Sequence, residues 1–197
     1  MKRKLTDEQI RAEAEAAGLE YAALWAVAAV ESRGAGFLPD GRPVILFEGH
    51  IFRRELSAAG KNPDDYAAGR ENILHQSPDV SQYRGGAEEH LRLEEAAKID
   101  REAALRSASW GLFQIMGFNW DASGFHSLQA FINAMYRDEA AHLRAAVEFI
   151  RNRRLAASLQ RRDWAAFARG YNGAGYAANQ YDVKLARAYE EAREKGW

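Results

Sequence analysis

The sequence predicts a mainly α (α+β) domain: a helical bundle carrying one small β-hairpin. Three observations predict it. Residues 5–10 carry a complete helix-start signature. Residues 21–30 form ten apolar residues in a row. Between Gly36 and Glu48, a Pro39-Asp40-Gly41 turn precedes the β-branched and aromatic run 44–47. At 197 residues the chain fits a single domain on a prior of about 150 residues per domain, so one domain over residues 1–197 is expected.

The elements follow in order. Thr6 is placed as N-cap, Gln9 as its capping-box partner, and Leu5 with Ile10 as a hydrophobic staple. This predicts a helix over 7–17, stopped by Gly18. The run from Tyr21 to Val30 has no polar face, so it predicts a helix buried on most sides. Glu31 closes that run, and Gly34 and Gly36 stop the helix. Residues 36–48 read as the hairpin, and 51–59 return to helix. Residues 60–86 are polar and broken by Pro63, Gly69 and Pro78, which predicts loop with short helices. Residues 87–107 read as one charged amphipathic helix, and 110–120 as an aromatic, glycine-rich segment. From Ser127 helical signals continue to the end, interrupted at 170–175.

Composition removes several function classes. With 27 basic and 28 acidic residues the net charge is −1, which disfavours a nucleic-acid binder. The absence of cysteine excludes disulfides, thiolate metal sites and a cysteine nucleophile. It suits synthesis in a reducing cytoplasm, or work outside it without disulfides. The basic start Met1-Lys2-Arg3-Lys4 lacks the apolar stretch of a signal peptide, and no apolar run reaches 18 residues. His75, His90, His126 and His142 have no metal-ligand spacing, so neither metal nor cofactor is expected. Residues 144–169 hold seven arginines against Glu148 and Asp163. They read as a solvated helical face or as an attraction to anionic surfaces.

Three segments carry candidate chemistry. Glu31 ends a buried apolar helix, where desolvation raises a carboxyl pKa toward the range of a general acid. The alternative is a cap or an ion pair with Arg33 or a distant arginine. Ser109-Trp110-Gly111-Leu112-Phe113-Gln114-Ile115-Met116 offers a glycine for close backbone approach, and a glutamine suited to a sugar hydroxyl or acetamido group. The alternative is core with a satisfied glutamine. Tyr171-Asn172-Gly173 presents a phenol and an amide between glycines; the alternative is an ordinary helix end. Glu48, at the end of the predicted strand, is a second carboxylate. It reads either as catalytic or as an ion-pair partner of Arg42 or Arg53. Asp40 on the hairpin turn is its rival, and His50 either tunes Glu48 or is a lone surface histidine. Trp25 and Trp164 read as core, while Trp110 and Trp120 are candidate sugar platforms.

Taken together, the order of these pieces resembles the lysozyme-like superfamily, especially soluble lytic transglycosylases and goose-type lysozyme. The pieces are a buried helix ending in Glu31-Ser32, then Ser109-Trp110-Gly111-Leu112-Phe113-Gln114-Ile115-Met116, then Tyr171-Asn172. The block from Val27 to Gly34, followed by the block from Gly36 to Phe52, looks like the N-acetylmuramidase domain of phage endolysins and prophage lysins. The resemblance covers about residues 18–190. It implies a lysozyme-like fold with the hairpin lining a substrate cleft, and hydrolysis of the β-1,4 bond between N-acetylmuramic acid and N-acetylglucosamine in peptidoglycan. It implies Glu31 as general acid. Gln114, Tyr171 and Asn172, with Ser109 and Trp110 beside them, would bind the sugar. Transglycosylases usually carry Tyr-Asn-Ala-Gly, whereas Gly173-Ala174-Gly175 follows Asn172 here. The chain leaves no length for a separate wall-binding module, so a stand-alone monomeric domain is expected. Its partner would be glycan strands, without nucleic acid or membrane insertion. It would be made in the host cytoplasm and act on the wall after release.

Two alternatives stay open at this level. A lytic transglycosylase needs one acid/base and leaves 1,6-anhydro ends. A non-catalytic lysozyme-like wall-binding protein would have no use for a buried acid.

Overall fold

The predicted N-cap and capping box form. The structure, a computed structural model, describes residues 4–32 and 34–196. Met1, Lys2 and Arg3 of the basic start lie outside them. Helix α1 spans Asp7–Ala17, with the Thr6 hydroxyl accepting from the Gln9 amide and the Gln9 side chain accepting from the Thr6 amide. Gly18 ends it at φ +65°.

Helix α2, Tyr21–Glu31, is enclosed on two faces, which explains its lack of a polar side. Leu24, Val27 and Ala28 face the main core. Ala22, Ala23 and Ala26 meet Ala188, Tyr189 and Ala192 of helix α11, Tyr181–Glu194. The small alanines let the two helix backbones come close, so the end of α2 and its Glu31 are rigidly placed.

The sheet differs from the predicted hairpin. The Pro39-Asp40-Gly41 turn does form, closed by a Phe37–Pro43 bridge. Strand β1, Ile45–Phe47, pairs instead with a distant strand β2, Ala108–Trp110, which pairs with β3, Ile115–Met116. Both pairings are antiparallel, with Leu46 opposite Ser109 and Ser109 opposite Met116. The strands are too short for sequence patterning to reveal, and β1 finds a partner over 60 residues away in the chain. The alternation of strand residues then sorts the side chains. Ile45, Phe47, Ala108, Trp110 and Ile115 are buried in the core, and Leu46, Ser109 and Met116 line a cleft.

Helix α3, Gly49–Ala58, follows β1 directly, and the 60–86 segment holds the short α4, Asp64–Ala67. The single helix predicted over 87–107 is two: α5, Ala87–Ala97, and α6, Arg101–Arg106. Asp100 causes the break, because its carboxylate accepts from the Ala103 amide and starts a new helix. Ser127 likewise caps α7, Leu128–Met135, and Asp138 caps α8, Glu139–Asn152. After α9, Ala156–Gln160, helix α10, Trp164–Asn172, passes through Gly170 and stops at Gly173, φ +83°. One continuous core joins residues from α1 to α11, including both sides of the 60–86 segment.

The β2–β3 turn is pinned from below by α8. The buried His142 accepts from the Leu112 amide through Nδ1 at 3.0 Å, and its Nε2 lies 2.8 Å from the Met135 carbonyl. These bonds assign the proton to Nε2. A Cβ on Gly111 would lie 2.7 Å from this ring, and one on Gly36 equally close. Glycine at these two positions is therefore a packing requirement. Glu139 completes the clamp by accepting from the Leu5 and Gly36 amides, each at 2.8 Å.

Candidate active site

The cleft, of about 340 Å³, is walled by the end of α2, the sheet face, the end of α10 and the start of α11. It brings together Glu31, Glu48, Ser109, Gln114, Tyr171 and Asn172, which are far apart in the chain.

Glu31 is 7% exposed at the last turn of α2. Its Oε2 accepts from Asn172 Nδ2 at 3.0 Å, which ties α2 to α10. Arg33, the alternative partner for Glu31, lies outside the described residues. The Oδ1 of Asn172 is buried without a protein donor among the described residues. Tyr171 sits beside Glu31, its ring stacked on Phe167 and edge-on to Phe149. Burial, followed by the Glu31 charge, pushes its phenol well above the ordinary tyrosine value, so it stays a neutral hydroxyl.

Glu48 enters the cleft from the end of β1, on the same face as Leu46. Neither Arg42 nor Arg53 holds it. Arg42 is paired with Asp40, and Arg53 with Asp64. Glu48 instead accepts from the Tyr83 hydroxyl on both oxygens, at 2.9 Å each. His50 Nδ1 lies 3.4 Å from Glu48 Oε2. Burial lowers the His50 pKa despite that carboxylate, so near neutral pH the ring beside Glu48 is uncharged. His50 is therefore a neighbour of Glu48 and not a lone surface histidine. Tyr83 is burdened the other way. Burial and the Glu48 hydrogen bond push its pKa up to about 12.

Three sequence candidates, Trp110, Asp40 and Trp120, fall outside the cleft lining. Trp110 is 1% exposed in the core, with its indole N–H donated to the Leu105 carbonyl. Strand alternation is the reason: Ser109 faces the cleft, so Trp110 faces away. Asp40 is not among the cleft residues. Its carboxylate accepts from the Arg42 guanidinium and amide, and these bonds hold its pKa below the ordinary range.

Gln114 does line the cleft, but its amide is largely committed. It accepts from Ser109 Oγ and donates to the Gly111 carbonyl, each at 2.8 Å. With φ +50°, it closes the β2–β3 turn and shapes the wall. Trp120 packs partly against the core, and Trp164 tilts on Tyr189. Of the seven arginines of residues 144–169, Arg151 pairs with Glu148, Arg153 donates to Asn119, and Arg162 pairs with Glu20.

Sequence reading missed Tyr83, Leu46, Asn179 and Tyr181 at or behind this cleft, and gave no role to Phe113 and Met116 within the segment it singled out. Leu46 and Met116 follow from alternation once the strands are known. Tyr83 carries no local signal, because its partner is 35 residues away. Among the described residues, no group of three or more His, Cys, Asp or Glu side chains is placed to hold a metal. Nor is any helix among them long and apolar enough to cross a membrane.

Fold and cleft together define a class, a glycoside hydrolase with two carboxylates at one groove. The comparisons narrow it. The N-acetylmuramidase family model matches residues 20–193, and the chain belongs to that family. The crystal structure of Burkholderia AP3 phage endolysin is similar at 45% identity with a TM-score of 0.89, over 98% of this chain and 73% of that one. No curated protein matches. The chain is thus a peptidoglycan hydrolase of the N-acetylmuramidase type with a lysozyme-like, mainly α fold.

Proposed function

We propose that the enzyme hydrolyses the β-1,4 bond between N-acetylmuramic acid and N-acetylglucosamine, with Glu31 as general acid and Glu48 as the second carboxylate. Glu31 gives its proton to the glycosidic oxygen as the bond to the sugar C1 breaks. Glu48 takes a proton from the water that attacks C1, or steadies the positive charge that develops there. Water is added across the bond, and the two carboxyls return to their starting states by exchange with solvent.

The observation that carries this reading is Glu48 itself. A second carboxylate stands in the Glu31 cleft, free of the arginines near it in sequence and held by a neutral phenol. A transglycosylase, which needs a single acid/base, has no use for such a group. Asn172 orients the acid, and its buried Oδ1 is an acceptor for a substrate hydroxyl or acetamido N–H. Ser109 and Gln114 form the wall under the sugar, and Tyr171 supplies a hydroxyl that does not ionise. Trp110 acts by packing behind that wall.

The continuous core supports one catalytic domain, which we read as acting as a monomer. Synthesis in a host cytoplasm, release, and lysis of the wall complete the reading. Mass spectrometry of the soluble digest tests it. Reducing muramic ends are expected, and 1,6-anhydro ends would make the enzyme a transglycosylase.

A further inference from the structure

Behind Glu48, outside the cleft lining, lies a second layer of structure that the reaction as written does not use. Tyr83 is half-buried in the loop between Val80 and Gly86, and its hydroxyl bridges both Glu48 oxygens. That loop does not rest on the sheet by itself. The fully buried Glu89 of α5 accepts from the Phe47 amide through Oε2, and from the Arg84 and Gly85 amides through Oε1. One carboxylate therefore grips the residue before Glu48 and the two residues after Tyr83. Burial opposes the charge on Glu89, but those three amides and the paired Arg92 outweigh it and keep its pKa below the ordinary range. Arg92 also donates to the Phe47 and Asn72 carbonyls, which closes the network. The distance between Glu48 and Tyr83 is thus preset by groups that never meet substrate.

We propose that Tyr83 is the positioning residue of the Glu48 carboxylate: its hydroxyl fixes the carboxylate plane toward the cleft. This rests on the reading of Glu48 as the second carboxylate. The other charged or titratable groups around Glu48 are His50 at 3.4 Å, His75 tilted against His50 with ring centroids 6.0 Å apart, Arg54 on the same helix, and Glu31 across the cleft. None of them donates a hydrogen bond to Glu48, so loss of the phenol is not covered by a neighbour.

The test is a double-mutant cycle of Tyr83→Phe and Glu48→Gln, assayed on soluble peptidoglycan glycan fragments at fixed ionic strength across pH. Tyr83→Phe alone should lower kcat by about tenfold to a hundredfold, the range for a hydrogen bond to a charged group. KM should change little, because Tyr83 does not line the cleft. In the Glu48→Gln background, Tyr83→Phe should add almost nothing. A Tyr83→Phe enzyme with the wild-type kcat and KM, beside an impaired Glu48→Gln, would overturn this inference alone. So would an equal slowing in both backgrounds. A fully active Glu48→Gln would remove the assignment of Glu48, and this inference with it.

Discussion

The two carboxylates of the cleft sit in opposite surroundings. Glu31 ends an alanine-rich helix packed on two sides, and accepts a hydrogen bond from a neutral amide on α10. Glu48 leaves a three-residue strand at a loop-rich edge, and takes bonds on both oxygens from a phenol. The first site is built by helix packing, so its position is set by apolar contact. The second is built by hydrogen bonds to a buried polar network. Unequal environments are how one cleft divides acid from base between two like side chains.

The largest expected effect tests the acid side of this contrast. Glu31→Gln should keep the melting temperature within a few degrees and abolish lysis of purified peptidoglycan. The shape is conserved, and Asn172 can still donate to the amide oxygen. Retention of more than about a tenth of the wild-type rate, only about 1.4 kcal/mol in barrier, would break the contrast.

The next tests the base side. Glu48→Gln should cost about 10²–10⁴ in rate, the usual range for general acid–base help. Asp40→Asn, at the rival position, should leave the rate unchanged, since that carboxylate is exposed and held by Arg42. Steady-state rates on soluble fragments compare the two variants. Equal losses in both would blur the division and return Asp40 to the cleft.

The smallest effect concerns the scaffold beneath the two sites. His50, His90 and His142 all have pKa values lowered by burial. A lowered histidine is neutral in the folded state, while the unfolded chain takes up a proton below about pH 6.5. The unfolded state then binds more protons, so stability is complete above about pH 6.5 and is lost as pH falls through the folded values. Melting curves between pH 7 and 5, above the carboxylate range, should show a falling midpoint. A flat or rising midpoint would mean that these rings are protonated in the folded protein.

Much of this could be read from the chain alone, for physical reasons that are local. The Thr6–Gln9 capping box, the doubly buried run 21–30 and the stop at Gly18 depend on residues within a few positions of one another. Periodicity and capping register such features directly. Glu31 was legible because a carboxylate closing an apolar helix is unusual within its own segment, and the resemblance carried by Gln114, Tyr171 and Asn172 adds the rest of its cleft. Tertiary structure decided what depends on distant partners. It paired β1 with β2 across the chain, turned Trp110 into the core by the same alternation that turned Ser109 outward, and took Asp40 out of contention by giving it to Arg42. It also set Tyr83 against Glu48, with Glu89 holding both. A hydrogen bond across 35 residues leaves no trace in local pattern, because its energy depends on where two separate backbones come to rest.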